Sequence, residues 1–165
     1  MIARPEMPQS EPKSPKRDAM EAAKRLFQAG GTAALAVLDA GGAPLVTMVN
    51  TAVDGGLRPL ILISALSLHT RCLQADARAS LMLHENFPEG DPQTAMRVTL
   101  SGSFVKVPDA GREVAAKAFL ARHPYAELYA GFGDFAYWCL EAETAHIVAG
   151  FGRAYDVRFK DLAAA

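Results

Sequence analysis

The feature that most restricts this chain is a train of short apolar runs cut by glycine-rich turns. TAALAVLD (32–39), LVTMVNTAV (45–53) and RPLILIS (58–64) are separated by AGGAP and DGG. Glycine supplies the positive φ that tight hairpin loops require, so runs joined this way predict antiparallel hairpins. Two more β-rich runs follow: RASLMLHE (78–85) and, after the polar loop NFPEGDPQT, MRVTLSGSFVKV (96–107). Alternation in RVTLSG puts Arg97, Thr99 and Ser101 on one strand face and Val98 and Leu100 on the other. DFAYWCLE (134–141) and ETAHIVAG (143–150) read as a closing hairpin, followed by the loop GFGRA. About seven strands linked mainly by hairpins predict a mostly antiparallel barrel rather than a parallel sheet with crossover helices.

Helices are expected around this barrel. Asp18 and Glu21 have the capping-box spacing, Met20, Ala23, Leu26 and Phe27 recur at helical period, and Gly30 and Gly31 end the segment. Residues 66–75 suit a short helix. Asp109 is placed to cap a helix through GREVAAKAFLARH, and after Pro124 a second short helix carries Tyr125, Leu128, Tyr129 and Phe132 at one-face spacing, a stripe expected to face the core. Residues 1–17 contain four prolines and read as a mobile tail, 18–157 as one domain, and 158–165 as a C-terminal tail.

Composition narrows the function classes. Half of the 165 residues are apolar, 21% are charged and the net charge is −1, which excludes disorder and a broad polyanion-binding surface; no nucleic-acid partner is expected. The N-terminal segment lacks the apolar core of a secretory signal, and no run is long enough to span a membrane. Cys72 and Cys139 lie far apart with no metal-binding spacing, as expected of reduced core thiols in a cytoplasmic protein.

The densest chemistry is in SALSLHTR (64–71). A strand ends at Ser64 and a helix begins near Leu66, so unpaired backbone amides meet the hydroxyls of Ser64, Ser67 and Thr70, the imidazole of His69 and the guanidinium of Arg71. That inventory suits a phosphate. The plain alternative is that a serine caps the helix, Arg71 is solvated and His69 packs. His69, His84, His123 and His146 show no metal-ligand spacing, so no metal-ion site is expected, and GFGRA lacks the spacing of a dinucleotide loop. Neither a nucleophile elbow nor a serine–histidine–aspartate grouping is present, which removes support for hydrolysis.

In order, LAVLDAGGAPLVTMVN, ISALSLHTR, DARASLML, RVTLSG, RHPYAELYAGFGDF and GFGRA resemble the pyridoxamine 5′-phosphate oxidase-related, FMN-binding split-barrel proteins over about residues 20 to 155. The branch with the HugZ-type haem-utilisation oxygenases is the nearest in pattern. The resemblance implies a mainly β fold with peripheral helices, a six- to seven-stranded antiparallel split barrel that dimerises around a shared FMN cleft. It places Thr47, Met48, Val49 and Asn50 along the isoalloxazine ring, Ser64, Ser67, His69, Thr70 and Arg71 at the flavin phosphate, Arg97 at ring or phosphate, and Arg153 near the ligand mouth. Leu68-His69 stands where pyridoxamine phosphate oxidases have an Arg-Lys pair, so that activity is not expected. The expected function is an FMN-dependent oxidoreductase of unnamed substrate, with a haem-binding protein using His146 or His84, or a non-catalytic flavin module, as alternatives.

Overall fold

The computed structural model describes residues 14–86 and 91–165; residues 1–13 of the expected tail (1–17) and residues 87–90 of the polar loop lie outside them, while Ser14 to Arg17 cap and begin the first helix instead of forming a tail. Helix α1 (Pro15–Ala29) leads into β1 (Gly31–Leu38), β2 (Pro44–Val53) and β3 (Pro59–Ser64). Then come α2 (Leu68–Ala75), β4 (Arg78–His84), β5 (Met96–Lys106), α3 (Asp109–Arg122) and α4 (Glu127–Ala130). The chain closes with β6 (Phe135–Ala149), β7 (Ala154–Arg158) and α5 (Phe159–Ala164). The sheet order is β3-β2-β1-β4-β5-β6-β7, and β3 also pairs with β6, so six antiparallel strands form a closed ring with β7 added outside it. This is the split barrel that the resemblance implied.

Strand alternation fills the ring. Leu35, Leu81, Leu100 and Ala145 stand side by side across four strands and are at most 1% exposed. One residue along, Ala34, Met82, Thr99 and His146 form the matching row on the outward face. In the tight turns Asp39 and Asp54 do the local work, each carboxylate accepting two backbone N–H groups of its own loop.

The ring is incomplete on one side. β2 meets β3 only through Thr51–Val53, while β3 runs on along β6 from Leu60 to Ser64. The β2 backbone before Thr51 therefore has β1 on one edge and no strand on the other among the described residues. Helix α2 sits beside this opening: Cys72 and Leu73 enter the barrel core, and His69 bonds to Thr47 of β2.

Several sequence expectations change. The expected hairpin over 134–150 is one long strand, because Glu141, Ala142 and Glu143 lack turn chemistry and the chain absorbs the extra residue as a bulge opposite Ser101 and Gly102. The seventh strand is instead Ala154–Arg158, paired back after the GFG turn. Ser14, not Asp18, caps α1, accepting a bond from the Arg17 amide. Residues 159–164 form a helix whose Leu162 is fully buried against α1, and Lys24 donates to the carbonyls of Ala163 and Ala165. Burial of that leucine contributes about 1.5–3 kcal/mol, which a solvated tail could not supply. The aromatic stripe does not face the core: Tyr125, Leu128 and Phe132 are 54%, 80% and 57% exposed, and only Tyr129 is half-buried. His123 does more than end a helix, being buried with Nε2 on the Thr51 carbonyl at 2.9 Å and Nδ1 on the Tyr125 hydroxyl at 3.0 Å.

The bulge depends on Gly102, where an added Cβ would lie 2.0 Å from the Glu141 carbonyl oxygen. Gly102→Ala is expected to lower stability by about 1–3 kcal/mol or more, whereas Gly55→Ala, with open space around it, stays near wild type. Denaturant midpoints at matched slopes check both.

Candidate functional site

At the α2 turn the structure divides the expected phosphate ligands into engaged and free groups. The Ser64 hydroxyl donates to Asp134 at 2.5 Å and also receives the Leu66 amide, while the Thr70 hydroxyl donates to the Ser64 carbonyl at 2.7 Å. His69 turns toward the barrel, its Nδ1 3.1 Å from the Thr47 hydroxyl and its Nε2 sealed from solvent without a partner. Burial holds this imidazole below its ordinary pKa, so it is neutral. Ser67 takes the cap position of α2 without a side-chain cap bond, and Arg71 is exposed with no partner for its guanidinium among the described residues. Two donors of the expected five thus remain available, beside a carboxylate that an approaching dianion would meet.

The expected ring-contacting segment alternates. Thr47 and Val49 lie on the inner side with Leu35, whereas Met48 is 78% exposed on the outer side and Asn50 shares that side. Val46 at 63%, Leu66 at 78% and Leu68 at 52% add exposed apolar surface along this edge. Arg97 is elsewhere in the ring, three strand spacings from β2 or ~14 Å at usual strand separation, and its Nη1 donates to the carbonyls of Gln93 and Ala95. Arg153 lines a separate cavity of about 430 Å³ with Asp18, Glu85 and Thr94. A single chain therefore gathers the α2 residues and β2 but not Arg97 or Arg153.

The outward face of the sheet is concave. A cavity of about 490 Å³ runs over Ala36, Ser80, Ser101 and Thr144, with Arg78 at one side. A second, of about 450 Å³, shares Ser101 and Thr144 and extends over His146, Asp156 and Arg158. The floor is built mostly of small side chains, with Glu143 also lining it, and Ser80 and Ser101 bond to each other at 2.7 Å. The arginines at its ends are held by neighbours: Arg78 by Asp76 at 2.6 Å and Arg158 by Asp161 at 2.8 Å. Within the second cavity His146 Nδ1 is 2.7 Å from Asp156 Oδ1. No group of three or more metal-ligating side chains occurs among the described residues, and both cysteines are buried and free, Cys139 being pushed up to about 11 by burial.

Sequence reasoning missed Asp134 and Asp156. Asp134 lies 70 residues from Ser64 in sequence, and only ring closure brings them together. Asp156 was within reach: alternation in AYDVR marks a strand, and folding it back about Phe151 sets Asp156 opposite His146.

Residues 14–163 match the CREG β-barrel family. The chloroplastic heme oxygenase HOZ of Arabidopsis thaliana is 33% identical over 114 residues, covering 69% of this chain and 34% of that protein, so the chain spans about a third of this curated relative. A heme binding protein from Mycobacterium smegmatis superposes with a TM-score of 0.82 at 27% identity, over 99% of this chain and 62% of that one. A Clostridium acetobutylicum protein of the pyridoxinephosphate oxidase family shares the fold alone, with a TM-score of 0.67 at 13% identity over 88% of this chain and 97% of that one.

The neutral, buried state of His69 has a pH signature. Its folded pKa lies below its ordinary value of 6.5, so its contribution to stability is complete above that value and is lost as pH falls below it. The unfolding midpoint is expected to drop between neutral and mildly acidic pH, and His69→Gln should flatten that drop; denaturant titrations at stepped pH measure it.

Proposed function

The chain belongs to the CREG β-barrel family, and on that premise we propose that it binds haem on the outward face of its sheet. One observation carries this reading: two adjoining cavities with a flat floor of small side chains and an arginine at each end. Haem is a planar, largely apolar ring with two carboxylates, so a floor of small side chains suits the ring, and Arg78 and Arg158 would exchange their Asp76 and Asp161 partners for its carboxylates. The sizes fall within the usual range of ligand pockets, roughly 300–1,000 Å³. The heme oxygenase and heme binding protein to which the chain is similar support the same ligand. Haem would supply the redox and oxygen chemistry; the chain's residues would bind and orient it and exclude water.

A second reading rests on the uncovered β2 edge. Its backbone groups can hydrogen-bond the polar rim of a flavin, with Ser67 and Arg71 left for the phosphate. In that case Thr47, Met48, Val49 and Asn50 flank FMN, and a second copy of the chain covers Val46 and Met48 and brings Arg97 and Arg153 to the cleft, forming a homodimer that acts as an FMN-dependent oxidoreductase. Two buried free thiols fit either reading in a reducing compartment such as the cytoplasm.

Parallel titrations of the purified protein with haemin and with FMN separate the two. The first reading expects a saturable Soret band that shifts from that of free haemin, and no saturable change in flavin absorbance or fluorescence. Saturable FMN uptake without haem binding overturns it in favour of the second. Under the flavin reading, Arg71→Ala should weaken FMN binding by about 1.5–3 kcal/mol in the same titration.

A further inference from the structure

We infer that the His69–Thr47 contact is a pH-sensitive latch: at neutral pH it holds the first turn of α2 against β2, and in mild acid it lets that turn go while the barrel stays closed. Nδ1 of His69 is 3.1 Å from the Thr47 hydroxyl, and this is the one hydrogen bond that joins α2 to β2 among the described residues. Nε2 is sealed from solvent and has no partner. A neutral ring tolerates that position, because Nδ1–H donates to Thr47 and Nε2 keeps a bare lone pair. A protonated ring does not. It carries an N–H on both nitrogens and a full charge, and Thr47 can serve only one of them. Water alone satisfies the charged ring, so protonation drives it out of the sealed space and breaks the Thr47 bond.

The surroundings do not offset that charge. β1, β2 and β3 contain no titratable residue. On α2 itself Arg71 is exposed and Cys72 lies in the core, while Asp134, just before β6, is engaged by the Ser64 hydroxyl. Burial is what holds the ring below its ordinary pKa, so the latch is closed above that value and opens as pH falls below it. The other three histidines lack this construction. His123 is buried, but both of its nitrogens have partners, and the Tyr125 hydroxyl can turn to accept a second N–H. His84 and His146 are exposed and take up a proton in water. Release stays local because α2 is anchored unevenly. Cys72 and Leu73 fix its second half in the core, whereas its first turn depends on His69 and on the Thr70 bond to the Ser64 carbonyl. Ser67 and Arg71, the two donors left free at this turn, move with it, so acid separates them from the β2 edge. The latch rests on neither the haem nor the flavin reading.

Amide hydrogen exchange of the full chain, read by mass spectrometry between roughly pH 7.5 and 5 and corrected for the intrinsic pH dependence of exchange, tests this. Peptides over 67–75 are expected to lose protection as pH falls, with exchange rising by up to about tenfold per pH unit, while peptides over β5 stay protected. His69→Gln keeps a hydrogen-bonding end that does not titrate in this range and should give a flat profile. Thr47→Val should expose the same peptides already at neutral pH. Asp134→Asn keeps an acceptor for Ser64, removes the second acid-titrating group at the turn and should leave the wild-type transition in place. A wild-type transition in His69→Gln, its loss in Asp134→Asn, or full protection of Thr47→Val at neutral pH each overturns the latch. Loss of protection over 67–75 and β5 together means that the barrel unfolds as a whole and overturns local release. Should His69→Gln fail to fold by circular dichroism, an NMR titration of the wild-type His69 ring decides: a midpoint that does not coincide with the exchange transition overturns the assignment.

Discussion

Pairing of β3 with β6 is the constraint on which the rest depends. One edge of β6 must serve β3 at its start and β7 at its end, while the other edge follows β5 throughout. A straight strand cannot turn through that much of a small barrel, and the bulge at Gly102 supplies the extra bend. Because β3 leaves β2 after Thr51 to reach β6, the same pairing opens the ring where α2 lies. It also brings Asp134 to Ser64, and the free far half of β6 is where β7 docks and sets Asp156 against His146. Closure, opening and the oriented imidazole are consequences of one strand's choice of partner.

Hydrogen bonding within the α2 turn decides what that turn can do. A hydroxyl that already donates to a carboxylate or carbonyl has its hydrogen committed to a neighbour, and recruiting it for a ligand means breaking a formed bond. Ser64 and Thr70 are in that condition, so their role is to hold the strand-to-helix connection in shape. His69 likewise joins α2 to β2 instead of facing outward. What remains is the Ser67 hydroxyl and the Arg71 guanidinium beside apolar edge residues, a modest anion site. The outward sheet face has a floor whose central serines satisfy each other and ends where Arg78 and Arg158 are paired with Asp76 and Asp161.

The architecture was legible wherever residues near in sequence determined it. The β1–β2 and β2–β3 hairpins, the faces of β5 and the helix at 109–122 follow from glycine turns and periodicity, and Val98 and Leu100 are buried as their alternation requires. The strand 135–149 was misread because a bulge and a hairpin turn both interrupt alternation, and only the missing turn residues distinguish them. The aromatic stripe after Pro124 had helical spacing, yet α4 is four residues long and too short to lay such a face on the core. Individual site residues were legible as chemical types but not as partners, since Ser64 with Asp134 and His69 with Thr47 are contacts of the folded ring.

The uncovered edge of β2 has a further meaning. A row of backbone donors and acceptors with no strand beside it among the described residues is a template for any extended chain, and Met48 and Val46 make that template greasy. Crowded copies of this polypeptide would therefore fail first by sticking strand to strand while still folded, and whatever normally occupies that edge also protects the molecule from precipitating.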